Sequence, residues 1–211
     1  MKIKEYEAEI EGMKDLLFDR FWSLADDLEG TSPTQGAVKK YNMFQFYTTD
    51  DKRFARTDEE MENGNVVETE DLLKRMKKEG ITPAIPIQYW LSKALHECGG
   101  KVKVAGRQTI RDYVNSDIVI KEKLIGIGTT EHFRRPETIL TSFPANKLGQ
   151  RHLSQMPGFK EGWKCKFTIV SLGMVPKEKI KELLEVTGVF RGIGAYHKSG
   201  GYGRFLVSKF A

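Results

Sequence analysis

Five glycines crowd the stretch from 192 to 203 (Gly192, Gly194, Gly200, Gly201 and Gly203), and they constrain this 211-residue chain more than any other feature. Glycine follows left-handed backbone paths that other residues resist, so such a stretch turns sharply or lets the backbone approach a neighbour or ligand closely. Interleaved with the glycines are Arg191, Tyr196, His197, Lys198, Tyr202 and Arg204, and an alternating strand, Arg204 to Lys209, follows. Successive exposed amides in a loop of this kind cradle an anion. Cations neutralise phosphates, and aromatic rings offer faces on which bases stack. The same residues also suit a plain hairpin turn with solvated charges, and their types alone leave both possibilities standing.

The charge distribution bears on that choice. Residues 1–80 hold 13 Lys/Arg against 19 Asp/Glu, and residues 81–211 hold 21 against 10, which together give the net charge of +5. A basic C-terminal part predicts an anion-binding surface there, unless the acidic N-terminal part folds against it. No apolar run approaches a membrane span, and the N-terminus alternates like a strand without the apolar core of a signal peptide. Cys98 and Cys165, the only cysteines, give no metal framework and read as reduced thiols. A cytoplasmic location and no membrane association are therefore expected.

Residues 3–10 alternate as a first strand. Met13, Leu16, Leu17, Phe18, Phe21, Trp22, Leu24 and Leu28 recur at near-helical spacing, so a helix or a compact apolar turn is expected up to Gly30. Tyr41 to Thr48 reads as a strand, Asp50 to Glu62 as exposed charged chain, and Thr69 to Lys78 as a short helix. Pro83 and Pro86 precede a helix over Ile87 to Cys98 that Gly99-Gly100 ends. Ile110 to Ile120, Thr138 to Phe143 and Trp163 to Leu172 read as strand material. Pro176 opens a helix reaching Gly188, and the last strand completes a strand–helix–strand unit. This order predicts an α+β, ferredoxin-like antiparallel sheet with helices on one face and long hairpin insertions, a single domain over 1–211 with 30–80 as an acidic insertion or lobe.

Three elements together carry a resemblance: the alternating first strand leading into Leu16-Leu17-Phe18-Asp19-Arg20-Phe21; the proline-bracketed helix from Pro83-Ala84-Ile85-Pro86 to Ala94-Leu95; and the strand–helix–Gly-Ile-Gly–Gly-Tyr-Gly-Arg-Phe ending. They look like a family of phage-encoded proteins similar to the RAMP superfamily of CRISPR-associated RNA-binding proteins. The resemblance implies a ferredoxin-like fold, a glycine-rich loop against an RNA backbone, a single-stranded nucleic acid as partner, and side-by-side oligomers along the strand. Residues 30–80 have no counterpart in it.

Beyond the glycine-rich loop, Lys101, Lys103, Arg107 and Arg111 lie along an expected basic hairpin. Phe133, Arg134 and Arg135 form a second group, and Lys147, Arg151, His152, Lys160, Lys164 and Lys166 form a third around Trp163. Alternating lysines are often only the wet face of a strand, and Trp163 reads as a core residue. The expectation is a single-stranded DNA- or RNA-binding protein that grips the backbone without base-edge readout, with no cofactor and no metal. Two alternatives stand beside it. One is a metal-independent endoribonuclease using His132 or His197. The other is a phage protein-interaction factor that mimics or inhibits a CRISPR subunit and disrupts its assembly, with the acidic N-terminal part as its contact surface. No Walker-type loop is present, because Arg-Phe and not Lys-Ser/Thr follows the last glycine.

Overall fold

The fold is that of a computed structural model, which describes residues 3–17, 46–48, 53–54, 74, 78, 83–127, 133–142, 151–195 and 200–211; for 46–48, 53–54, 83, 133–142 and 151–157 it describes the backbone only. The architecture is mixed α+β. Its main layer is an antiparallel sheet of β1 (Lys4–Gly12), β8 (Ile118–Ile120), β12 (Lys164–Ser171) and β13 (Phe205–Phe210) in the order β13-β1-β12-β8. Period-two alternation makes each of these strands two-faced. Tyr6, Ala8, Ile10, Cys165, Phe167, Ile169, Ile118, Ile120 and Phe205 are buried on one side, and Glu5, Glu7, Lys164, Lys166 and Leu206 are exposed on the other.

The buried face is covered by α1 (Ile87–Cys98), the short α2 (Arg111–Asp117) and α3 (Lys177–Phe190). Helix α1 packs on β8, α2 and α3, and α3 packs on β13. Strands β1 and β8 are parallel and flank β12, while β12 and β13 are parallel and flank β1. The chain therefore crosses over the buried face twice, once through α1 and α2 and once through α3. At Gly188 the packing of α3 on β13 is close: a Cβ there would lie 2.2 Å from the Phe205 carbonyl. Glycine is kept inside the helix for that contact, so the helix runs through Gly188 to Phe190 instead of ending at it.

Two smaller sheets and a hairpin are inserted into this core. Strands β3 (Phe46–Thr48), β4 (Arg53–Phe54), β5 (Pro83–Ile85) and β9 (Ile125–Gly126) pair in the order β4-β3-β5-β9. Part of the acidic stretch 30–80 is thus hydrogen-bonded to the strand that precedes α1. Strands β6 (Lys103–Ala105) and β7 (Gln108–Thr109) form the basic hairpin. The long strands β10 (Phe133–Ser142) and β11 (Arg151–Phe159) form a hairpin between β9 and β12, and β2 (Leu16–Leu17) pairs with its near end.

Three expectations are corrected here. Leu16 and Leu17 are not the start of a helix; they pair with Gly158 and Phe159 as strand and are wholly buried. Of the remaining expected helix, residues 18–30 lie outside the described residues. Residues 111–117 are helical and not strand. Ile110, Val114, Asp117 and Ile118 do follow the helical period, but the buried member at 117 is a carboxylate, which hides the stripe. Strand β11 went unread because Arg151, His152, Gln155 and Pro157 break its alternation. In the expected helix 69–78, Lys74 and Lys78 are helical. Helix α1 has the expected limits, and Trp163 is a core residue with 0% exposure. No helix among the described residues is long and apolar enough to cross a membrane.

Candidate nucleic-acid interface

The glycines after α3 lock the loop against the protein itself. Gly192, Gly194, Gly201 and Gly203 all have left-handed backbones, with φ of 73°, 83°, 69° and 65°. A Cβ on Gly203 would lie 1.8 Å from the Ile193 carbonyl oxygen, and one on Gly192 would lie 2.6 Å from that of Gly203. The two arms of the loop therefore cross backbone to backbone. Ile193 N–H donates to the Gly203 carbonyl at 3.0 Å, Gly203 N–H to that of Asp15 at 2.7 Å, Ala195 N–H to that of Leu17 at 2.9 Å, and Gly192 N–H to that of Thr187 at 2.8 Å. These four amides point inward. Around Gly201 the space is open. Tyr196, His197 and Lys198 lie outside the described residues. Tyr202 is half-buried against Leu17 and Ala195.

The cations divide into paired and presented groups. Arg191 forms an ion pair with Glu97 of α1, and its side chain is only 13% exposed. Burial, and then the neighbouring Arg204, pull its guanidinium below the ordinary arginine value. Arg204 donates from Nη1 to the Val189 carbonyl, which caps a free carbonyl at the end of α3 where the helix dipole favours a cation. Lys101, in the 3₁₀ turn Gly99–Lys101, places its Nζ 4.9 Å from the centroid of the Phe190 ring.

Lys101 and Arg204 also act on a common neighbour. Burial raises the Cys98 thiol pKa, while the neighbouring Thr187 side chain and these two cations lower it in part. Gly99 lets α2 begin against this turn, since a Cβ there would lie 2.7 Å from the Arg111 Cα. Arg111 and Lys103 are exposed, as is Arg107, which follows the left-handed Gly106 in the β6–β7 turn. The fold thus gathers Lys101, Lys103, Arg107, Arg111 and Arg204 at one corner, around the ends of α1 and α3.

The open face of the main sheet is different. Lys164 pairs with Glu11 at 3.1 Å, Lys166 with Glu9 at 3.4 Å, Lys209 with Glu7 at 3.1 Å and Lys121 with Glu5 at 3.0 Å. Glu122 accepts from the Thr168 N–H and Oγ1 at 2.8 and 2.7 Å beside them. The acidic first strand therefore cancels lysines of the basic C-terminal part, and this face is a mixed charge ladder with no excess of cations. Such exposed pairs each contribute about 0–1 kcal/mol, so their main effect is on the surface potential.

The remaining candidates lie on the long hairpin. Phe133 and Arg134 pair with Phe159 and Gly158, next to β2, whose Leu17 carbonyl holds Ala195. That end of the hairpin is joined to the glycine-rich loop through β2. Arg135 falls in the register shift that follows Arg134. Arg151 pairs with Ser142 at the opposite end of the hairpin, about 26 Å along the strand at ~3.3 Å per residue, and is not brought into the corner. Of the histidines, His96 is half-buried in the last turn of α1, His152 is in β11, and His132 and His197 lie outside the described residues. Among the described residues, no group of three His, Cys, Asp or Glu could hold a metal ion.

One exposed residue at this corner was missed in the sequence. Phe190 is 59% exposed, although the helical period places it on the apolar stripe of α3. The ring lies at the edge of that stripe in the last turn of the helix, and only the tertiary structure shows that it is left uncovered. The half-buried Glu97 partner of Arg191 was likewise invisible, since nothing local marks a pair so distant in sequence.

An α+β fold with one basic, aromatic-bearing corner is therefore the class this chain defines. No family model matches the chain, and no curated protein matches it. Similar solved structures include a chain from the cryo-EM structure of the Type III-B Cmr-beta bound to cognate target RNA. That chain is 13% identical with a TM-score of 0.54, and the likeness covers 100% of this chain and 60% of that one. Cmr6 from Pyrococcus furiosus is 10% identical with a TM-score of 0.38, over 98% of each chain, a likeness too weak to argue from. The similarity to the Cmr-beta chain is one of fold, and this chain spans 60% of that chain's length.

Proposed function

We propose that the protein binds single-stranded nucleic acid at the corner formed by Lys101, Lys103, Arg107, Arg111 and Arg204. The observation that carries this reading is the contrast between two surfaces of one molecule: the lysines of the open sheet face are paired with glutamates, while these cations are gathered at a single corner. We further propose that the four-stranded sheet with its two crossovers is a ferredoxin-like core; its strand order and antiparallel pairing support this. The fold likeness to a protein seen on cognate target RNA favours RNA over DNA as the partner.

The role proposed is binding without cleavage. Phosphate contacts release counterions, so affinity for a single strand falls with salt by a slope of roughly 0.7 per phosphate neutralised. Fluorescence anisotropy with labelled single-stranded RNA, single-stranded DNA and duplex DNA over a salt series tests the reading. Preference for a single strand with a steep slope is expected, and the RNA is expected to stay intact. No binding at low salt would overturn the reading and return the basic corner to ordinary solvated surface.

A further inference from the structure

Phe190 is the last residue of α3, and it stands out from other exposed apolar residues by its surroundings. A lone exposed apolar side chain needs no explanation. Here an aromatic ring, 59% exposed, has a lysine ammonium 4.9 Å from its centroid and an arginine bound at the carbonyl of the preceding residue. Val189 beside it is 50% exposed. The period of α3 accounts for the ring's position: Leu183 is buried, and seven residues later the chain returns to the same side of the helix. At that point the ring has Lys101 over it and solvent beyond.

We propose that Phe190 is a stacking platform for one unpaired nucleobase, with Lys101 and Arg204 set to hold the adjoining phosphates. This rests on the nucleic-acid reading above and names the unit recognised at that site. Every base has a π-face, so stacking on an aromatic side chain tolerates any sequence. A paired base inside a duplex has both faces already covered, so the platform selects single strands. The ring is also pre-organised. The cation–π contact with Lys101 holds its orientation. The cap from Arg204 and the Ile193–Gly203 crossing fix the helix end that carries it. Little ordering is then left to offset on binding.

The test is a double-mutant cycle with two probes of equal length and charge: a homopyrimidine single-stranded oligonucleotide and a fully abasic oligonucleotide. Wild-type protein is expected to bind the base-bearing probe at least about five-fold more tightly than the abasic one. Phe190→Ala is expected to lose about five-fold or more on the base-bearing probe and less than about two-fold on the abasic probe. Phe190→Trp is expected to keep the preference. Circular dichroism verifies that each variant is folded, which the exposure of the ring favours. If wild type binds both probes equally, or Phe190→Ala keeps the full base preference, the platform is overturned while the binding reading stands. If wild type binds neither probe at low salt, both fall together.

Discussion

Asp117 is wholly buried, yet its carboxylate is fully engaged. Oδ2 accepts from Val175 N–H at 2.8 Å and Ser171 Oγ at 3.2 Å, and Oδ1 accepts from Met174 N–H at 3.2 Å. It ties the end of α2 to the turn that launches α3, and so fixes the helix whose far end carries Phe190. An ionised carboxylate offers acceptors only, which is what these donors require. Asp117→Asn would set an amide N–H against a backbone N–H, and Asp117→Ala would leave the donors unmet. Each is expected to cost about 2 kcal/mol or more, a loss of about 4–8 °C in Tm for a chain of this size. A thermal melt within about a degree of wild type would contradict that role. The same residue shows why α2 could not be read from sequence: a polar group at a buried helix position cancels the apolar period.

Strands and helices with strong local patterns were legible, and elements made by tertiary contact were not. Helix α1 announces itself through Pro86, the stripe Ile87, Leu91, Ala94, Leu95, and Gly99-Gly100. Strands β1 and β12 alternate cleanly because one face is core and the other is wet. Strand β2 was misread because two leucines beside further apolar residues fit a helix, and only the partner at Gly158–Phe159 makes them strand. The glycine-rich loop was recognised as special, but its inward amides were hidden by the distance in sequence between Asp15–Leu17 and Ala195–Gly203. Its glycines should therefore differ in tolerance. Gly203→Ala would drive a Cβ onto the Ile193 carbonyl as well as strain φ, whereas Gly201→Ala meets open space and bears the strain alone. Urea melts are expected to show a loss of about 1–2 kcal/mol for Gly201→Ala and a clearly larger one for Gly203→Ala. Equal losses would mean that the crossing of the loop arms does not hold the loop together.

Charge decides which surface of the whole molecule faces a ligand. The sequence shows an acidic first part and a basic remainder, and the fold partly undoes that division by laying Glu5, Glu7, Glu9 and Glu11 beside Lys121, Lys209, Lys166 and Lys164. Among the described residues, Lys101, Lys103, Arg107 and Arg111 stay exposed at the corner where α1 and α3 end. The most direct measurement compares two triple charge reversals for single-stranded RNA affinity over a salt series. One is Lys101→Glu, Arg107→Glu, Arg111→Glu at the corner; the other is Lys121→Glu, Lys164→Glu, Lys166→Glu on the open sheet face. The corner variant is expected to lose at least about a hundred-fold in affinity and to flatten the salt slope by about two, while the sheet variant stays within a few-fold of wild type. Equal losses from both, or a greater loss from the sheet variant, would contradict the assignment of the corner as the nucleic-acid site.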